Sequence, residues 1–322
     1  MNESELRRRL EMFNGARVPQ SLLRLALWYS GDDAKAKAFD DRFSWGMLID
    51  KDVFIESAPV PRRSLPGYYT EPVELIPIFG CYTVVGFLDL APEVGSPDTL
   101  PVVLSNPNDY ECPVRFCAAD LAEALALSLY GDTEPDQPDL REVFGFPIVP
   151  IEDRGLDVAY QPKIIPAGYR YVQGASNATG VLAPLSAFRE PLVPAVEYID
   201  DRPGSRECTL DVQREMAEHV GRAQKALADG YPATTILIAK DFRALSPALW
   251  HQDADDHLEI LMTLFIEASL QLGRPGHAAV IAGVREEYRA DRRPPVPKTL
   301  PLSPIAKAHL IVWRQRSSPD KP

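Results

Sequence analysis

Val73-Glu74-Leu75-Ile76-Pro77-Ile78-Phe79-Gly80-Cys81-Tyr82-Thr83-Val84-Val85-Gly86-Phe87-Leu88 sets two runs rich in β-branched and aromatic residues on either side of a glycine-containing turn. Apolar runs of this length are too short for ordinary helices, and their composition reads as strands over Val73–Ile78 and Tyr82–Leu88. Similar runs at Met47–Ile49, Val53–Ile55 and Val102–Leu104 are parted by Pro, Gly and Asp. Together they predict a meandering antiparallel sheet.

Helical signals frame these strands. Leu6, Leu10 and Phe13 recur at i, i+4 and i+7, and Gly15 ends the pattern. A second helix is expected from near Pro19, which suits a first-turn position, through Leu22, Leu23, Ala26 and Leu27 to the break at Gly31-Asp32-Asp33. A third, Ala118 to Tyr130, carries Leu121, Leu125 and Leu129 and stops at Gly131-Asp132. Helices, strands, then a helix predict an α+β domain over residues 1–131, its helices packed on the antiparallel sheet. Residues 132–208 form a Pro/Gly-rich connecting segment with candidate strands at Tyr169–Val172 and Val181–Ala183. Whether that segment completes the first domain or wraps the second is left open by the sequence.

From residue 209 to 292 the pattern is helical throughout. Met216, Val220, Ala223 and Leu227 form one apolar stripe; Leu261, Leu264, Phe265, Ala268 and Leu272 form another. Gly230-Tyr231-Pro232-Ala233-Thr234-Thr235-Ile236-Leu237-Ile238-Ala239 aligns with Gly273-Arg274-Pro275-Gly276-His277-Ala278-Ala279-Val280-Ile281-Ala282 at an offset of 43 residues. In each copy Gly can cap one helix and Pro can start the next, so an all-α domain of helical hairpins is expected. The repeat resembles tetratricopeptide repeats, whose unit is about 34 residues, with the loop Ser246–Asp256 taking up the excess. Two copies suit two independent hairpins equally well. Residues 293–322 read as a Pro-rich spacer, an apolar run from Ile305 to Trp313 and a basic tail.

The chain has 322 residues, 45% of them apolar and 25% charged, a globular composition of about two domains. No run of about 18 uncharged apolar residues occurs, and the charged start Met1–Arg9 does not read as a signal peptide, which predicts a cytoplasmic protein. The net charge of −12 is unevenly spread. Residues 51–150 hold sixteen carboxylates against five basic residues, a net of −11, whereas residues 201–322 carry +1. Such a domain repels nucleic acid and anionic membrane, and favours a basic protein partner. Cys81, Cys112, Cys117 and Cys208 are too few and too irregular for a disulfide framework and read as reduced thiols.

Chemistry-bearing motifs are sparse. Neither a Gly-rich phosphate loop nor HExxH nor GxSxG occurs, so no cofactor and no catalytic residue is assigned, and binding is favoured over catalysis. His251, Asp253, Asp255, Asp256 and His257 resemble a metal cluster, but Asp256 reads more simply as a helix N-cap, and no metal is expected. The denser signal is acidic and aromatic: Tyr68, Tyr69, Glu71 and Glu74, then Asp89 and Glu93, then Asp109, Tyr110 and Glu111, all in or beside turns where side chains reach solvent. Tyr supplies rigid contact area and carboxylates set orientation, so these nine residues are the candidate partner-binding set.

Phe13-Asn14-Gly15-Ala16-Arg17-Val18-Pro19-Gln20-Ser21-Leu22, Glu71-Pro72-Val73-Glu74-Leu75-Ile76-Pro77-Ile78-Phe79-Gly80, Val85-Gly86-Phe87-Leu88-Asp89 and the helix Ala118–Leu129 resemble the SUKH superfamily of bacterial immunity and scaffold proteins over residues 1–131. The same front end is similar to the histone PARylation factor-like family. The first resemblance implies an immunity protein that neutralises a basic toxin through its acidic surface. The second implies an ADP-ribose-handling enzyme or accessory factor. The helical hairpins add a third expectation, a scaffold for peptides.

Overall fold

The computed structural model describes residues 2–43, 47, 72–80, 83–106, 114–129, 139–152, 160–174, 179–191, 210–245 and 255–291. The chain divides into two units, Met1–Val60 with Glu74–Gln161, and Pro61–Val73 with Pro162–Pro322. The architecture is α+β, with N-terminal helices and a four-stranded antiparallel sheet followed by a helical C-terminal region. The connecting segment, whose attachment the sequence leaves open, is divided between the units: its residues up to Gln161 fall in the first and those from Pro162 in the second. Residues 139–152 therefore belong with the sheet and residues 162–191 with the C-terminal helices.

In the first unit α1 (Glu3–Asn14) starts at Asn2, whose side-chain oxygen accepts from the Glu5 N–H, and buries Leu6 and Leu10 completely. Helix α2 (Gln20–Ser30) begins one residue past Pro19 and buries Leu22, Leu23, Leu25 and Ala26. Gly31-Asp32-Asp33, read from sequence as a break, also starts a helix. Asp32 accepts from the Ala34 N–H at 2.8 Å and caps α3 (Asp33–Arg42). That helix carries few apolar residues, and its attachment rests on Phe39 and the following Phe43. Phe39 is fully buried, 4.5 Å from the Phe43 ring, 6.2 Å from Phe79 and within 6.4 Å of Trp28 and Tyr29. The Tyr29 hydroxyl donates to Asp40 at 2.9 Å. Burial, aided by that carboxylate, pushes its pKa up to about 12 and keeps it a donor.

Strands β1 (Leu75–Gly80), β2 (Val84–Leu88), β3 (Val102–Ser105) and β4 (Val114–Ala118) pair antiparallel in chain order. Register aligns Ile76, Phe87, Val102 and Ala118 across the sheet, and all four belong to the core shared with the helices. A bulge between Pro77 and Phe79 breaks the alternation of β1, and Ile78 and Phe79 both join that core. Of the expected strand at Met47–Ile49, Met47 is described and bridges Phe79; Val53–Ile55 lies outside the described residues. Strand β4 was not foreseen, and the helix expected from Ala118 begins three residues later as α4 (Leu121–Ser128). Asp120 accepts from the Glu123 N–H at 2.9 Å while the Glu123 carboxylate accepts from the Ala119 N–H at 2.7 Å, a variant of the capping box that reaches one residue before the cap. The single turn α5 (Arg141–Phe144) buries Val143.

The second unit contains both expected strands of the connecting segment, β5 (Tyr169–Val172) and β6 (Val181–Pro184), as an antiparallel pair. Helices α6 (Leu210–Ala228), α7 (Pro232–Leu245), α8 (Asp255–Gln271) and α9 (Pro275–Asp291) follow. The two repeat copies sit at the α6–α7 and α8–α9 turns and have the same geometry. Tyr231 N–H donates to Ala226 O at 2.8 Å and Gly230 N–H to Leu227 O at 3.1 Å. Arg274 N–H donates to Ser269 O at 2.8 Å and Gly273 N–H to Leu270 O at 3.0 Å. These are Schellman closures, and Gly230 and Gly273 take φ of +85° and +74°, where a Cβ is unfavourable. Helix α8 buries residues on every side, including Glu259, Thr263 and Ser269, so it is the centre of the bundle.

Phe39→Ala is expected to destabilise the protein by roughly 3–5 kcal/mol, read as a lower urea midpoint, because it empties the aromatic cluster that holds α3. Hydrogen bonds from Arg8 and then Arg9 hold the Glu5 carboxyl at a pKa of about 2. Its folded value lies below the unfolded one of about 4.3, so this stabilisation is present above that pH and is lost as pH falls towards 2. Glu5→Gln is expected to cost at most about 1 kcal/mol at neutral pH, a difference that disappears in melts near pH 2.

Candidate functional site

Three of the nine candidate partner-binding residues, Glu74, Asp89 and Glu93, fall among the described residues; Tyr68, Tyr69, Glu71, Asp109, Tyr110 and Glu111 lie outside them. Glu74 immediately precedes β1 and Asp89 immediately follows β2, on either side of the Leu75–Leu88 pair. The Asp89 N–H donates to Glu74 O at 2.9 Å, continuing the ladder and bringing the two residues opposite one another. Each is 4% exposed. The expectation that carboxylates here reach solvent is therefore corrected at these two positions. Strand pairing continues one residue further than the turn reading assumed, and it draws both side chains inside.

Glu93 does reach solvent, and its loop is fixed from several sides. The Arg17 guanidinium, from the α1–α2 corner, donates to Pro92 O and Gly95 O, each at 3.0 Å. The Asp98 carboxylate accepts from the Gln20 N–H at 2.6 Å and caps α2 from 78 residues away. Val94 N–H closes a turn onto Ala91 O, and the Asp98 N–H donates to the Ser96 hydroxyl oxygen. The result is an acidic loop whose backbone is ordered before any partner arrives, the condition under which an exposed carboxylate can orient a cationic group at low entropic cost.

The second unit holds charge of another kind. Lys240 on α7 is 6% exposed and donates to Gly180 O at 3.0 Å; Arg274, between α8 and α9, is 2% exposed and donates to Leu182 O at 2.6 Å. Residues 180 and 182 point their carbonyls to the same side of the chain, so two cations from the bundle occupy one side of β6. On α8, Glu259 is fully buried and accepts from Arg285 at 3.2 Å and from Arg289, both on α9. Burial, then the neighbouring Arg289, presses the Arg285 pKa down while Glu259 opposes the shift. These contacts fasten elements together. Sequence reading missed them, although a weak signal was present: Glu259 sits between Leu258 and Ile260, and Lys240 and Arg285 directly follow the apolar runs Ile236–Ala239 and Val280–Val284.

Helix α8 begins at Asp255, so Asp256 lies within its first turn and is not the N-cap. His251 and Asp253 lie outside the described residues. No described helix is long and apolar enough to cross a membrane. Compared with protein-family models the sequence matches none, and it matches no curated protein.

Lys240→Met keeps the length of the side chain and leaves the Gly180 carbonyl without its donor. The expected cost is about 1–3 kcal/mol, accompanied by faster amide exchange across residues 179–184 than in the parent protein.

Proposed function

We propose that this chain acts by binding protein, most specifically as an immunity protein that neutralises a basic toxin through the acidic surface of its first unit. The observation that carries the reading is the segregation of charge: residues 51–150 hold a net of −11 while residues 201–322 are near neutral. A field of one sign over one unit attracts a basic partner at long range, and the pinned loop bearing Glu93 offers an ordered first contact. Electrostatic attraction of this kind speeds encounter more than it prolongs the complex.

The test uses the purified full chain and the basic protein encoded beside it, with association followed by stopped flow. The association rate is expected to fall on the order of tenfold or more between low and high salt, with little change in dissociation. Binding that is insensitive to salt, or no binding, would remove the immunity reading. Calorimetric binding of ADP-ribose or NAD would replace it with the ADP-ribose-handling alternative.

A further inference from the structure

Residues 139–152 of the first unit carry two prolines three positions apart. After α5, Gly145 takes φ +81° and its N–H closes onto Arg141 O at 2.8 Å. The chain then runs Phe146-Pro147-Ile148-Val149-Pro150-Ile151, with neither turn nor bend from Pro147 to Glu152 and no strand partner among the described residues. Pro147 and Pro150 fix their own φ near about −65°, and each confines the residue before it, Phe146 or Val149, to the extended or polyproline II region. Covalent geometry thus restricts most of this strip before any packing is considered.

Exposure along the strip follows a three-residue period. Phe146 and Pro147 are exposed, Ile148 turns inward against the core of the unit, and Val149 and Pro150 are exposed again. Ile151, three residues after Ile148, is 39% exposed against 52% for Phe146 and 63% for Val149, and its N–H donates to Ala126 O on α4 at 3.2 Å. A β-strand would place residues 146, 148 and 150 on one side, which the inward Ile148 contradicts. Polyproline II, with three residues per turn, puts 148 and 151 on the edge facing the unit, 146 and 149 on a second edge, and 147 and 150 on a third. The pairs Phe146-Pro147 and Val149-Pro150 therefore stand one turn apart on the two outward edges. The described charges before the strip are paired, Asp139 with Arg141 and Glu142 with Lys35 of α3, so shape rather than charge selects what binds there.

We infer that Phe146-Pro147-Ile148-Val149-Pro150 is a polyproline II ligand strip for a protein module with an aromatic-lined groove. Two apolar–Pro pairs one turn apart suit such a groove, in which each slot between aromatic rings takes one pair, while the Ile148 edge stays on its own unit. The prolines and the anchors at Ile148 and Ile151 have already removed conformational freedom that an unstructured peptide would lose on binding. Neither proline has an N–H to offer an added strand, which favours a groove that reads side chains over strand addition. The acidic surface and a basic partner play no part here, so this strip and the toxin-binding reading can fail separately.

The probe is a panel of purified SH3 and WW domains, whose aromatic grooves bind polyproline II segments, titrated against the full chain by calorimetry. At least one domain is expected to bind saturably and to be displaced by a synthetic peptide of residues 145–152, but not by a scrambled peptide that lacks the three-residue spacing of the prolines. Its affinity is expected to fall about tenfold or more for the double variant Pro147→Ala/Pro150→Ala and for Val149→Lys. Ile164→Ser, which alters a solvent-facing apolar side chain of the second unit, is expected to leave it unchanged. All of these positions are exposed, and unchanged circular dichroism melts verify that the variants fold. The inference is overturned if no domain binds, if binding survives the double proline variant, or if Ile164→Ser weakens it as much. It is also overturned if the parent chain self-associates in sedimentation and Val149→Lys does not, since a second copy then occupies the strip. If no domain binds but the basic protein does, the strip is no ligand and the toxin-binding reading stands; if a domain binds and the basic protein does not, the reverse holds.

Discussion

A guanidinium that is 2% exposed has to find oxygen partners inside the protein, and the way Arg274 finds one organises the second unit. Its backbone N–H closes α8 onto Ser269 O, its carbonyl accepts from Ala278 at the start of α9, and its side chain reaches Leu182 O on β6. One residue therefore ends one helix, begins the next and ties both to the strand pair. Lys240 repeats the last of these contacts two residues earlier, at Gly180 O, just before β6. An edge strand carries unpaired carbonyls that invite another strand, and inward-pointing cations are one way of blocking it. Here the same contacts also satisfy the buried charge.

The first unit is held by a different constraint. Helix α3 has two aromatic residues with which to attach itself, and both enter the ring cluster reached by Phe79 at the β1 bulge. Without the bulge, Ile78 and Phe79 would face opposite sides of the sheet, and one of them would be lost to this core. The polar counterpart is the α1–α2 corner. Arg17 pins the loop after β2, and that loop returns Asp98 as the cap of α2. Helix start and loop position are thus determined together, so Glu93 inherits its place from contacts on the far side of the loop.

Periodicity made the strongly amphipathic elements legible: α1, α2, the sheet meander, and the hairpins around Gly230 and Gly273. It was blind where attachment relies on few residues. Asp32 looked like a stop because a cap and a break use the same residue types, and Phe39 with Phe43 is too brief a stripe to announce α3. Strand β4 is five residues long and leads directly into a helix, so its alternation merged with the helical pattern. The attachment of the segment after residue 131 stayed open for a related reason. What commits β5 and β6 to the second unit is Lys240 and Arg274, contacts spanning 60 and 92 residues that leave no local trace. Turn composition likewise placed Glu74 and Asp89 beside a turn without revealing that the ladder runs past them.

Formal charge and available charge differ in this protein, and the difference bears on how it holds a partner. Of the sixteen carboxylates in residues 51–150, eight are on described residues. Glu74 and Asp89 are buried, Asp98, Asp120 and Glu123 accept hydrogen bonds at helix starts, and Asp139 and Glu142 sit in ion pairs. A carboxylate engaged in a cap or a pair still contributes to the potential a few ångströms away, so the steering field survives. Its oxygens are nonetheless committed, and redirecting them to a partner would cost the helix starts and salt bridges they maintain. Attraction at a distance and adhesion at contact therefore draw on different residues.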